Sequence, residues 1–122
     1  MLTKILVVGM GGFVGANARY WAGIWIGAHS FPWATFIINI AGCFGLAVFS
    51  TLVLDRGLFS DGTRLLVATG FFGAFTTFST FNLEAYNLFV GGKSALAIFY
   101  LAASVGTGLI AGFVGVGLAR WF

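Results

Sequence analysis

The chain has 122 residues, 60% of them hydrophobic and only 7% charged, with a formal net charge of +3. A soluble domain carries about 25% charged residues, so six cations and three anions cannot solvate a globular surface. The charge is spread thinly with no polybasic cluster, which excludes a nucleic-acid partner, and the single cysteine allows neither an intramolecular disulfide nor a multi-cysteine metal site.

These numbers point to an all-α integral membrane protein. A helix crossing the hydrocarbon core needs about 20 apolar residues. Four such helices with short loops use nearly all of the chain, so residues 1–122 read as a single four-span domain. So short a chain has little from which to build a pathway alone, and a homo-oligomer is expected.

The first span covers about residues 2–26, with Lys4 at its start and Arg19 towards its far end. Ala16-Asn17-Ala18 has the small-x-small form of a signal cleavage site. Apolar sequence nevertheless continues through Trp21 and Trp25, so a retained span is expected. Gly9-Met10-Gly11-Gly12 resembles the start of a dinucleotide loop, but Val14 breaks the glycine register and no βαβ unit can be drawn. Gly11 and Gly15 instead read as a small-xxx-small packing face, and Gly108, Ala111, Gly112 and Gly115 offer another.

Pro32 opens the second span, about 33–54, where its missing N–H costs little. Cys43 lies within it and reads as a small buried hydrophobe. The third span, about 63–89, follows the charged loop at Asp55, Arg56 and Asp61; the fourth covers about 95–121 after Gly91-Gly92-Lys93-Ser94. Trp21, Trp25, Trp33 and Trp121 fall near span ends, as interfacial belts require. Lys4, Arg56, Arg64 and Arg120 lie on the side of the termini, against Arg19 and Lys93 on the other. That weak bias is compatible with insertion in both orientations.

The third span is anomalous. Gly70-Phe71-Phe72-Gly73-Ala74-Phe75 runs into Thr76-Thr77-Phe78-Ser79-Thr80-Phe81 near its middle. β-Branched threonines beside glycines weaken helical preference, and hydroxyls can satisfy freed backbone groups. A break near residues 74–79, at bilayer depth, is expected, and such backbone survives there only when buried in protein or lining a water or ion pathway. The alternative is an unbroken helix whose threonines bond back to their own carbonyls.

Polar groups within spans usually face the bundle interior or an aqueous route. Asn39 could donate to an anion or tie two helices together. Arg19 could snorkel to the interface, and Glu84 could pair with a cation of a second copy. Tyr100 and Ser104, four residues apart, share a face of the fourth span with Thr107 nearby. Phe78 and Phe81 present ring edges of positive quadrupole charge that can meet an anion. With hydroxyl and amide donors, such edges can replace hydration while letting the ion leave.

On these residues the chain resembles the Fluc (CrcB) family of fluoride channels along essentially its full length. The carrying stretches are Gly12-Phe13-Val14-Gly15-Ala16-Asn17-Ala18-Arg19-Tyr20, Asn39-Ile40-Ala41-Gly42-Cys43-Phe44, and residues 70–81 followed by Glu84. The resemblance implies a dual-topology antiparallel homodimer in the cell membrane, with two pathways for passive fluoride export. It implies that Phe78, Phe81 and Asn39 line the pore, with Ser79, Thr80, Tyr100 and Ser104 along a polar track. It further implies Arg19 and Glu84 as vestibule and pore-end charges, and a structural sodium ion held by the carbonyls of Gly73 and Thr76. Two departures from the family pattern are Trp33-Ala34-Thr35 after Pro32, and a missing second hydroxyl in span four, for which Thr107 is the nearest substitute.

Two rivals have little support. A proton-coupled small multidrug exporter needs a carboxylate embedded in its first span, and this first span has none. A helper subunit that only packs against other proteins does not need an interrupted span. Enzymatic chemistry is not expected, because His29 stands alone in a loop without a nucleophile partner.

Overall fold

The structure, a computed structural model, describes residues 1–121; Phe122, the last residue of the expected domain, lies outside the described residues. Four helical stretches form, with α1 (Leu2–Ile26) and α2 (Trp33–Arg56) continuous. The third stretch begins as α3 (Asp61–Arg64), widens into a π-helical segment (Leu65–Phe72), and tightens again as α4 (Gly73–Phe75). Then α5 (Phe78–Val90) and α6 (Ser94–Trp121) complete the fold. No strand occurs among the described residues.

Local chemistry sets the boundaries. Gly57, at φ 61°, ends α2 in the left-handed region that side chains avoid, and its N–H returns to the Val53 carbonyl. Ser60 caps α3 by accepting the Thr63 N–H at 3.3 Å. Between α4 and α5 the helical backbone is interrupted: Thr76 is extended at ψ 159°, and Thr77 at φ −149° and ψ 124°. Thr77 then caps α5, its Oγ1 accepting the Thr80 N–H at 3.3 Å.

Glycine governs the packing. On α1, a Cβ at Gly11 would run into the Leu66 carbonyl oxygen, and one at Gly15 into that of Phe71. From the facing side, a Cβ on Gly70 would lie 2.7 Å from the Val8 carbonyl oxygen. Backbone therefore lies against backbone where α1 meets the π-helical segment. On α6, Gly115 likewise approaches Phe44 of α2, a Cβ there falling 2.7 Å from its carbonyl oxygen. Of the other glycines expected on that face, a Cβ on Gly108 would lie 3.5 Å from the Cys43 sulfur, and one on Gly112 would meet nothing within 4 Å.

The molecule is inverted relative to a soluble protein. Phe13, Trp25, Phe113 and Trp121 are exposed, and the compact core is Phe81, Ala85 and Tyr100, with Phe31, Phe36, Leu88 and Leu101 against it. By length and apolarity α2 and α6 can each cross a membrane. At the end carrying the termini, Arg120 Nε meets Asp55 Oδ2 at 2.9 Å and ties α6 to α2.

Cys43 corrects an expectation. It is exposed, not buried. The inward stripe of α2 runs through Thr35, Ile38 and Gly42, and the next residue of a helix turns about 100° away from such a stripe.

Candidate functional site

The interruption is held by side chains from two other helices. Asn39 of α2 uses both ends of its amide on Thr77: Nδ2 donates to the Thr77 carbonyl at 3.0 Å, and Oδ1 accepts the Thr77 N–H at 2.9 Å. Arg19 of α1 donates from Nη1 to the Thr76 carbonyl at 3.2 Å. The Thr76 hydroxyl returns to the Phe72 carbonyl at 2.9 Å. Gly42, one turn beyond Asn39, makes room for the Thr76 methyl, which would collide with any Cβ at that position. Freed backbone groups in an apolar setting cost several kcal/mol each when left unpaired, and here the sequence supplies a partner for each polar group of Thr77.

A cavity of about 300 Å³ opens beside this point, lined by Asn39, Cys43, Thr77, Phe78, Phe81 and Ser104 among others. The Phe78 and Phe81 rings stand 6.0 Å apart and tilted by 44°. Phe78 is 76% exposed whereas Phe81 is buried against Tyr100, edge to face at 5.1 Å. Ser104 lines the cavity, and its Oγ is buried with no hydrogen-bond partner among the described residues. Hydroxyl, amide-bearing and ring-edge groups thus converge on one small space with no carboxylate in it. Such a lining suits an anion.

A second cavity, about 410 Å³, adjoins the first through Thr77 and is lined by Arg19, Thr35, Thr80 and Glu84. Both carboxylate oxygens of Glu84 are occupied: Oε1 accepts from the Thr35 hydroxyl at 2.8 Å and Oε2 from the Tyr100 hydroxyl at 2.7 Å. Thr35 and Tyr100 are buried. Tyr100 is further fixed by Phe31, edge to face at 5.3 Å, so one ring orients both Phe81 and Glu84.

The expected residues fall into distinct places. Asn39, Phe78, Phe81 and Ser104 share the first cavity; Arg19, Thr80 and Glu84 share the second. Ser79 is exposed, its hydroxyl 3.5 Å from that of Thr77. Tyr100 is buried against Phe81, while Ser104, one turn on, lines the first cavity. Of the two uses open to Asn39, the chain realises the tie between helices. Glu84, for which a cation was an open partner, is held by two hydroxyls of its own chain. Thr107 does not replace a cavity hydroxyl: it donates to the Ala103 carbonyl at 2.6 Å and lines an apolar groove with Ile40, Phe44 and Ile110.

Thr35 was not singled out from the sequence, although it stands four residues before Asn39 and therefore on the same helical face. The hub role of Thr77 was equally hidden within its run of hydroxyls.

Gly73 and Thr76 supply oxygens of the kind a sodium ion takes, since unwound backbone carbonyls coordinate Na⁺ in discontinuous membrane helices. The Thr77 N–H, which a continuous helix would turn to the Gly73 carbonyl, is spent on Asn39, and Gly73 is exposed. A carbonyl has two lone pairs, so Thr76 retains one beside the Arg19 contact. Arg19, bonded to the same Thr76 carbonyl at 3.2 Å, is a positive charge beside these oxygens.

The CrcB-like protein, Camphor Resistance (CrcB) family matches residues 6–116. A protein of Chloroflexus aurantiacus named fluoride-specific ion channel FluC is 44% identical, covering 99% of this chain and 98% of that protein. Proteins of the same name from Rhizobium etli (41% identical) and Oceanobacillus iheyensis (42%) each cover 98% of the chain, and 98% and 94% of their own lengths. The chain belongs to the CrcB family. Membership makes this CrcB chain a multi-pass protein of the cell membrane and an ion channel rather than an enzyme.

Proposed function

We propose that the chain is a passive, fluoride-selective channel that lets fluoride leave the cytoplasm down its electrochemical gradient. The observation that carries this reading is the lining of the cavity beside the interruption, where the Phe78 and Phe81 rings, the Ser104 hydroxyl and the Asn39–Thr77 pair converge without a carboxylate. The relatives' name, fluoride-specific ion channel, supplies the identity of the anion. Fluoride is small and strongly hydrated, so its passage needs donors and ring edges to replace water at each step, held weakly enough to release it. Asn39, Phe78, Phe81 and Ser104 form that lining. Ser79 and Thr80 extend it, and Tyr100 holds Phe81 in place. Arg19 provides positive potential on the second cavity, with Glu84 at its far side.

The working unit is an antiparallel homodimer of chains inserted in opposite orientations, with one pathway per protomer. The interruption between α4 and α5 sits at mid-membrane, and a sodium ion held by the Gly73 and Thr76 carbonyls of both protomers neutralises oxygens left over by it. Support comes from chain length, from the balance of flanking charges and from the exposed Gly73.

Fluoride efflux from liposomes containing the purified protein, with chloride as control, tests the reading. Fluoride flux far above chloride is expected, and Phe81→Ile slows it by at least about tenfold, equivalent to about 1.4 kcal/mol of lost stabilisation along the route. Absence of fluoride flux, or equal chloride flux, overturns the proposal.

A further inference from the structure

A third cavity, about 350 Å³, lies at the end of the molecule away from the termini, between the α1–α2 loop and the α5–α6 turn. Its charged and titratable lining comes from three segments: His29 from the loop, Glu84 from α5 and Lys93 from the turn. Ala34 and Glu84 also line the second cavity, which shares Thr77 with the first. The three spaces therefore form one series, from the Phe78 ring to the Gly91-Gly92-Lys93 turn, with Glu84 at the last junction.

That series contains an electrostatic contradiction for an anion. Thr35 and Tyr100 satisfy the hydrogen-bonding capacity of Glu84, but hydroxyl donors do not cancel its negative charge. An anion arriving from this end meets a carboxylate before it meets Arg19. Lys93 is the one lysine or arginine lining this cavity. Its backbone is fixed by the turn, the N–H donating to the Leu88 carbonyl at 2.8 Å and the carbonyl accepting from the Ala97 N–H at 3.0 Å. Its side chain is exposed and makes no salt bridge among the described residues. Gly92, at φ 75°, lets the turn close tightly, and Lys93 after it lines the same cavity as Glu84.

We propose that Lys93 is the anion-collecting residue at this mouth of the pathway: its ammonium offsets the Glu84 charge and raises the local concentration of fluoride there. The inference rests on the fluoride-channel reading and assigns the route a second cation beyond Arg19. Charges at a mouth act on the rate of entry, an effect that salt screens away.

The test is initial fluoride efflux from liposomes carrying wild type, Lys93→Gln or Lys93→Arg, at two ionic strengths. Wild-type flux establishes first that the channel conducts, so failure of the general reading is separate from failure of this one. Lys93→Gln is expected to lower flux by about 3- to 10-fold near 10 mM ionic strength, where the screening length is about 30 Å, and by less than about 2-fold near 1 M, where it is about 3 Å. Lys93→Arg keeps wild-type flux. In a Glu84→Gln background the Lys93→Gln deficit shrinks, because the charge it offsets is gone. Equal flux of wild type and Lys93→Gln at low salt overturns the proposal. So does a deficit that salt leaves unchanged and arginine does not rescue, which marks a merely structural turn residue.

Discussion

Asn39 occupies a position where a polar side chain is costly unless it is fully used, and both ends of its amide are bound to Thr77. Each such bond contributes about 1 kcal/mol net, while an abandoned partner costs about 1–3 kcal/mol. Asn39→Ala is therefore expected to lower stability in detergent by about 2–4 kcal/mol, seen as a lower melting temperature together with lost flux. An alanine variant that melts like wild type contradicts the clamp. At this scale the sequence was half legible. Residue types at bilayer depth marked Asn39, Glu84 and the hydroxyl run as polar groups needing partners. Which partner each took depends on how α2 crosses α4 and α5, and that crossing is not a local property. Cys43 shows the same limit, because its type suggests burial and only the direction of the α2 stripe places it outside.

The helical elements follow from apolar length and from turn residues such as Pro32, Gly57 and Gly92, all of which can be read along the chain. The widening of the third stretch over Leu65–Phe72 was not legible. Nothing in Leu-Leu-Val-Ala-Thr-Gly-Phe-Phe differs in period from an ordinary apolar helix. π-Helical turns appear mostly as single turns, frequently at functional sites, and here eight residues of one precede the interruption. The glycines opposite are a better sequence signal, since Gly11 and Gly15 have the spacing of a close-packing face. Gly15→Ala drives a methyl group into the Phe71 carbonyl and is expected to cost about 1–3 kcal/mol, the range for overpacking. Gly112→Ala, which meets open space, leaves the melting temperature within about 2 °C of wild type, as surface changes within about 0.5 kcal/mol do. Comparable destabilisation by both substitutions argues against backbone contact as the cause.

At the scale of the molecule, charge decides orientation. The termini-side cations Lys4, Arg56, Arg64 and Arg120 are opposed by Lys93 at the other end and by Arg19, whose guanidinium is held at the interruption by the Thr76 carbonyl, and Arg120 is already paired with Asp55. A bias this small is compatible with insertion in both orientations, as the proposed dimer requires. A reporter fused after the C-terminus is expected on both faces of the membrane in comparable amounts, and its appearance on one face only contradicts an antiparallel assembly. Adding two lysines at the termini side should shift the distribution towards a cytoplasmic C-terminus and reduce flux in cells that make this chain alone.

The clamp of Asn39 and Arg19 on Thr76 and Thr77 also bears on biogenesis. Every bond in it lies within one chain. A newly inserted copy can therefore shape its interrupted helix before it meets any other, with no exposed amide waiting in lipid for a partner. In the proposed antiparallel pair, assembly then joins surfaces already formed.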